Sequence, residues 1–111
     1  MAPKWKEIAE NNLEKGDQIE RTYPARLEGR TGYMLLSGKK FQFVNEEGFF
    51  RKNYDLVLDL PYDQIDTVTQ KEKYLIEITD KNGKKHDIQF SEISASTPLQ
   101  SMNELMSEKE K

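Results

Sequence analysis

Residues 74–90 read YLIEITDKNGKKHDIQF, and this stretch decides the fold class. Tyr74, Ile76 and Ile78 alternate with Glu77 and Thr79, the period of a strand with one buried face. Asn82-Gly83 follows, and both residues tolerate positive φ, which makes the pair a strong signal for a short hairpin. His86, Ile88 and Phe90 then resume the alternation as an inward face. Two strands joined by a tight turn predict an antiparallel hairpin.

The same period runs upstream, with turn residues every eight to twelve positions from residue 18 onward, the spacing of an antiparallel barrel or sandwich. Ile19, Tyr23, Ala25 and Leu27 mark a first strand, with Arg21 out of step. Pro24 lacks an N–H, so this strand requires an edge or a bulge. Tyr33 and Leu35 line one face of a second strand, Met34 and Leu36 the other. Ser37-Gly38-Lys39 turns into a third strand with Phe41 and Phe43, which Glu46-Glu47-Gly48 breaks. Leu56, Leu58 and Leu60 alternate with Asp55 and Asp59 in a fourth, closed by Pro61. Ile65 and Val68 mark a fifth strand that ends at Lys71-Glu72-Lys73.

Both ends of the chain change to helical spacing. Thr97 suits an N-cap, Pro98 the first helical position, and Gln100 completes a capping box. Leu99, Met102, Leu105 and Met106 form the apolar stripe of that helix. A short helix is also expected over residues 4–14, stopped by Gly16, with Trp5, Ile8 and Ala9 on one face and Trp5 as a lid over the core. The expected division is a helical segment at 1–17, one β domain at 18–107 and a charged tail at 108–111, with no internal repeat and no linker.

Composition narrows the chemistry. Leu, Ile, Val and Phe make up 25 of 111 residues and a third of the chain is charged, so the core is small and the surface strongly solvated. Cysteine is absent, which removes disulfides, thiolate zinc sites and Cys nucleophiles. A nucleophilic triad would have to use the sole histidine, His86, which falls on a predicted inward face and reads as a core or rim residue. Asp59, Asp63 and Asp66 read as solvated strand-end acids, not as a glycosidase pair. Asp80-Lys81-Asn82-Gly83 shares letters with a calcium loop but lacks the later acidic ligands. The six glycines are scattered and form no phosphate-binding loop. The expectation is a protein with no enzymatic activity, no cofactor and no metal. Residues 1–10 lack a signal-peptide apolar core, and no apolar run approaches a membrane span, so a cytoplasmic location is expected.

Seven short antiparallel strands followed by one amphipathic helix resemble the pleckstrin-homology superfold. Three strings are similar to its GRAM and bacterial/archaeal branch: Gly32-Tyr33-Met34-Leu35-Leu36-Ser37, Lys40-Phe41-Gln42-Phe43-Val44, and Leu58-Asp59-Leu60-Pro61-Tyr62-Asp63-Gln64-Ile65. Residues 86–90 also resemble the last strand of the PH-like domain in a subunit of general transcription factor IIH. The resemblance implies a mainly β fold: a seven-stranded antiparallel PH-like barrel or bent sandwich, capped by the C-terminal α-helix. The N-terminal helix is an addition to that pattern.

The resemblance also implies that the loops after strands one, three and six gather at one end. That end would carry Arg30, Phe49, Phe50, Arg51, Lys52, Lys81, Lys84 and Lys85 as binding residues. Charge supports a local patch, since residues 21–53 hold seven basic and three acidic side chains in a chain of net charge −3. Phosphoinositide-binding members place cations in strand two, and the second strand here, Gly32-Tyr33-Met34-Leu35-Leu36-Ser37, has none, so that cage is missing. Glu46 and Glu47 further dilute the patch. The expected function is therefore an adaptor-like, monomeric module that binds a protein or peptide, for example by strand addition between a strand edge and the helix. The alternative is a weak membrane-surface binder of anionic lipid or phosphoinositide, peripheral at the membrane, using Phe49, Phe50 and the cations. Nucleic acid is not an expected partner, because the chain is acidic and no sheet face interleaves aromatics with cations.

Overall fold

The computed structural model describes residues 3–110, with side chains through residue 107. The order is α1 (Lys4–Glu10), β1 (Ile19–Leu27), β2 (Arg30–Ser37), β3 (Lys40–Glu47), β4 (Asn53–Pro61), a 3-10 turn (Tyr62–Gln64), β5 (Ile65–Glu72), β6 (Leu75–Asp80), β7 (Lys85–Gln89) and α2 (Ser96–Glu110). All seven strands join one antiparallel sheet in the order β4-β3-β2-β1-β7-β6-β5. The architecture expected from the alternation is present.

The sheet is bent, because side chains from its two halves share one core. Met34, Leu36, Phe41 and Phe43 from β2 and β3 pack with Ile76, Ile78 and Ile88 from β6 and β7, and with Phe90. Met102 of α2 is fully buried in the same cluster, with Leu99, Leu105 and Met106 packed against it. The Tyr23 and Ser101 hydroxyls share a hydrogen bond of 2.7 Å that pins the helix to β1. The backbone of α2 stays helical to Glu110, through most of the stretch read as a tail, while Met1, Ala2 and Lys111 lie outside the described residues.

A second cluster lies on the outer face. Ala9, Leu35 and Val44 are fully buried there, with Trp5, Ile8, Ile19, Tyr33, Tyr54 and Leu56 around them. Trp5 is thus a lid over this outer cluster and not over the main core. Its ring stacks on Tyr33 with centroids 4.1 Å apart and 11° between planes. A helix of seven residues is too short to hold itself in water, so packing and hydrogen bonds must hold it. Gln42 Nε2 donates to the Ala9 carbonyl at 3.0 Å, and Lys40 Nζ to the Asn12 carbonyl at 2.9 Å. The helix ends at Glu10, four residues before the expected boundary, and Asn11 closes it.

Two bulges explain how one period-two sequence serves both faces. Phe43 pairs with Leu58 and Val44 with Leu56, so Val57 is the extra residue. Leu58 and Leu60 therefore face the main core while Leu56 faces the outer cluster. Ile19 pairs with Ser37 and Arg21 with Leu36, so Glu20 is extra in the same sense. Ile19 then joins the outer cluster while Tyr23 and Leu27 pack against the main core, so the bulge changes the face of Ile19; Arg21, opposite Leu36, keeps the face of Tyr23 with its side chain exposed. Pro24 needs no bulge. β1 meets β7 at Arg26↔Gln89 and Leu27↔Ile88, and among the described residues no strand pairs with the far side of β1 at Pro24.

Three local expectations are corrected. Tyr74 lies in the turn before β6 and is 41% exposed; the buried face of that strand is Ile76, Ile78 and Asp80. The last helix starts at Ser96, so Thr97 is already helical, and the Ser94 hydroxyl accepts from the Ser96 N–H at 3.3 Å. In the Asn82-Gly83 turn, Gly83 alone takes positive φ (86°), because the Asp80 carboxylate organises the turn by accepting from the Asn82 and Lys84 N–H groups.

Candidate functional site

Register places three turns at one end of the sheet. The β1–β2 turn is Glu28-Gly29, closed by the pair Leu27↔Arg30, and both residues take positive φ. The β3–β4 loop follows the pair Glu47↔Asn53, and the β6–β7 turn follows Thr79↔Lys85. The Glu28 N–H donates to the Asp87 carbonyl at 3.1 Å, which joins the first turn to the start of β7.

A cleft of about 380 Å³ opens at this end, lined by Leu27, Glu28, Arg30, Val57, Leu58, Lys84 and His86. Arg30 and Lys84 are exposed and supply its cations. His86 is 4% exposed and closes the inner wall. Its Nε2 lies 3.1 Å from Asp80 Oδ2, while Asp80 Oδ1 accepts the Asn82 and Lys84 N–H groups at 2.9 and 3.0 Å. The hydrogen bond from His86, helped by those two N–H groups, holds the Asp80 carboxyl below the usual carboxylate range against the opposing effect of burial. Sequence reasoning placed His86 correctly on the inward face but missed Asp80. The signal was there: Asp80 sits two residues beyond Ile78 on the same face as Ile76 and Ile78.

The β3–β4 loop carries the second feature. Gly48 has φ 109°, and a Cβ there would lie 1.9 Å from the Arg51 carbonyl oxygen, so the turn requires glycine. Beyond it, Phe49 and Phe50 are 89% and 95% exposed and touch edge to face, with centroids 5.2 Å apart. Neither ring caps the barrel end, and neither lines the cleft.

The other candidate cations separate. Lys52 pairs with Glu46 at 3.5 Å, and Glu46 Oε2 also accepts from the Tyr33 hydroxyl at 3.3 Å. Burial, followed by the charge of Glu46, pushes the Tyr33 phenol up. Lys85 points to the outer face, 3.9 Å from Glu77, which also holds Lys71 at 3.0 Å. Arg51 and Lys81 are exposed and make no ion pair with another described residue. Of the eight residues expected to form one patch, Arg30 and Lys84 share the cleft, Phe49 and Phe50 share the loop, and Lys52 and Lys85 are engaged by carboxylates.

Among the described residues, no three Asp, Glu or His side chains converge as a metal site, and no helix is long and apolar enough to cross a membrane. Compared with known proteins, the chain matches no family model and no curated protein.

Proposed function

We propose that the chain is a non-catalytic binding module that docks onto a protein partner through the β3–β4 loop. One observation carries the reading: Phe49 and Phe50 stand almost fully in water side by side, in a chain that buries Phe41, Phe43 and Phe90. Paired exposed aromatics next to an arginine have the composition of an interface anchor. The charge around them selects the partner. Glu46, Glu47, Arg51 and Lys52 balance, so the loop offers apolar contact without net attraction to an anionic bilayer. That balance favours an apolar pocket on a protein over a lipid surface. The order of seven strands and a capping helix, with its resemblance to PH-like and GRAM domains, supports a binding role by analogy of fold, and fold alone does not fix function. On this reading the protein works as a cytoplasmic adaptor.

The test is capture of partners from a cell extract by the tagged protein, beside Phe49→Ser/Phe50→Ser and with circular dichroism to show that the variant folds. Specific retention by the parent and its loss in the variant is the expected result. Sedimentation of the parent with phosphatidylserine vesicles, abolished by salt, with no protein retained from the extract, would replace this reading with the lipid one.

A further inference from the structure

The turn between β6 and β7 carries a reactive pair that neither the cleft nor the docking loop uses. Asn82 is exposed, and its side-chain amide makes no hydrogen bond with another described residue. Gly83 is exposed as well, and a Cβ built on it would meet nothing within 4 Å. The Cγ of an asparagine and the backbone nitrogen of the next residue are the two atoms that close a succinimide ring. Glycine in that next position has no side chain to obstruct the closure.

The folded turn keeps those two atoms apart. The Gly83 N–H donates to the Asp80 carbonyl at 3.0 Å, which makes a β-turn with Lys81 and Asn82 at its centre. Neither central residue takes positive φ, and that leaves type I as the turn. In this type the second central residue has ψ of roughly 0°, which turns the following nitrogen away from the side chain. A hydrogen-bonded N–H also keeps its proton until the bond opens.

Both barriers depend on Asp80. Its carbonyl takes the Gly83 N–H, and its carboxylate takes those of Asn82 and Lys84 at 2.9 and 3.0 Å. Its own N–H donates to the Lys84 carbonyl at 2.9 Å. His86 holds the same carboxylate from the other side at 3.1 Å, so the clamp is fixed to the interior. The Lys81 N–H is held separately, by the Gln64 carbonyl at 2.9 Å.

We infer that Asn82 is a self-modification site, converted to isoaspartate and aspartate by attack of the Gly83 nitrogen, with Asp80 as the positioning residue that confines the reaction to the opened hairpin. In the opened turn the Gly83 nitrogen gives its proton to hydroxide and bonds to Asn82 Cγ. The bond from Cγ to the side-chain nitrogen breaks, and that nitrogen takes a proton from water and leaves as ammonia. Water then opens the succinimide. Attack at Cγ restores the main chain with aspartate at position 82. Attack at the main-chain carbonyl carbon leaves Gly83 linked through the side chain, as isoaspartate. Either product places a new carboxylate between Lys81 and Lys84. Isoaspartate also adds a carbon to the main chain inside the turn, so it disturbs the Thr79↔Lys85 pairing that sets the hairpin register. The modification therefore marks copies whose hairpin has opened. It is independent of the docking loop at 48–52.

The test follows the whole chain in mildly alkaline buffer, native and unfolded in guanidinium chloride. Peptide mapping reads conversion at residue 82, and labelling by a protein-isoaspartate methyltransferase separates the two products. Hydrogen exchange at the Gly83 amide measures turn opening in the same native sample. The native chain should react more slowly than the unfolded chain, by about the protection factor of Gly83. Asp80→Ala removes the carboxylate, so Gly83 exchange and conversion at residue 82 should accelerate by the same factor. Asn82→Gln, at an exposed position, should abolish the isoaspartate signal in this peptide. If Asp80→Ala fails to fold, the parent's native-to-unfolded rate ratio, set against Gly83 protection, decides the matter. Equal rates in the native and unfolded chains, conversion at residue 82 while Gly83 stays protected, or no isoaspartate at residue 82 in the unfolded chain would overturn the inference.

Discussion

His86 and Asp80 form a buried pair, Nε2 to Oδ2 at 3.1 Å, that ties the single histidine of the chain to the turn carrying Lys81 and Lys84. One carboxylate does three things. It accepts from the ring, it accepts from two backbone N–H groups, and through them it sets the shape of the β6–β7 turn. The cleft wall and the turn geometry therefore depend on the same side chain.

The first prediction concerns acid. The carboxyl of Asp80 is held low in the folded state by His86 and the turn N–H groups. A depressed carboxyl stabilises the fold above its unfolded pKa of about 3.9, and that contribution disappears as pH falls through the folded value. Urea midpoints measured from pH 7 to pH 3 should fall more steeply for the parent than for Asp80→Asn. The variant should be the less stable of the two at pH 7, and the gap should narrow toward pH 3. Parallel profiles would show that this carboxylate does not contribute through its charge.

Much of this arrangement was legible in the strings themselves, and the failures have physical causes. Alternation revealed six of the strands because each turns one face to a core; β5, where Ile65 is buried, Val68 half-buried and the rest exposed, was marked by those two residues without alternation. Alternation could not reveal the bulges at Glu20 and Val57, since an inserted residue moves the apolar set to the opposite face while the letters keep alternating. Trp5, Ile8 and Ala9 read as one helix face wherever that face docks, so the outer cluster was hidden. Pairing of Lys52 with Glu46 and of Lys85 with Glu77 depends on cross-strand register and on which face each side chain takes, and neither is written in composition. The exposed Phe49 and Phe50 were legible as a candidate, because two aromatics after a glycine in a turn have no strand to join.

A second prediction tests how α2 is docked. Met102 is fully buried against the main core, whereas Leu105 is half-buried. Met102→Ala should cost about 2–4 kcal/mol, and Leu105→Ala less. Chemical denaturation ranks the two, and equal losses would mean that the helix is seated differently.

The third prediction uses backbone strain. Among the described residues, Glu28 is the one non-glycine residue with positive φ, at 50°. A side chain with a Cβ costs roughly 1 kcal/mol in that region, a penalty glycine escapes. Part of the gain is lost to the greater freedom of glycine in the unfolded chain. Glu28→Asn keeps a side chain that tolerates the conformation and avoids that loss. Its melting temperature should rise, and a fall would show that the Glu28 side chain holds the turn by contacts of its own.

The fourth prediction concerns close approach. A Cβ on Gly32 would lie 2.2 Å from the Val44 carbonyl oxygen and 2.7 Å from the Phe43 ring. The nearer atom is backbone in a central strand pair, so β2 and β3 would have to separate. Gly32→Ala should cost more than a typical substitution, about 3 kcal/mol or above. Unchanged stability in a urea titration would mean that the two strands have room the structure denies them.

The last prediction sets the loop's two partners against each other. Arg51 and Lys52 flank Phe49 and Phe50, and Lys52 is already drawn to Glu46 at 3.5 Å. Near an anionic bilayer each cation would contribute about 1 kcal/mol, screened by salt. Reversing both charges would then abolish vesicle sedimentation, and raised salt would act like the mutations. On a protein partner the energy comes from the two rings entering an apolar pocket, with the cations at the rim. A rim charge changes association rate and salt dependence more than the lifetime of the complex. Arg51→Glu/Lys52→Glu should therefore retain the partner that Phe49→Ser/Phe50→Ser loses, with a slower on-rate and a similar off-rate by surface plasmon resonance. Loss of partner in the charge variant with retention in the phenylalanine variant would place the binding energy in the cations and reverse the order of the two readings.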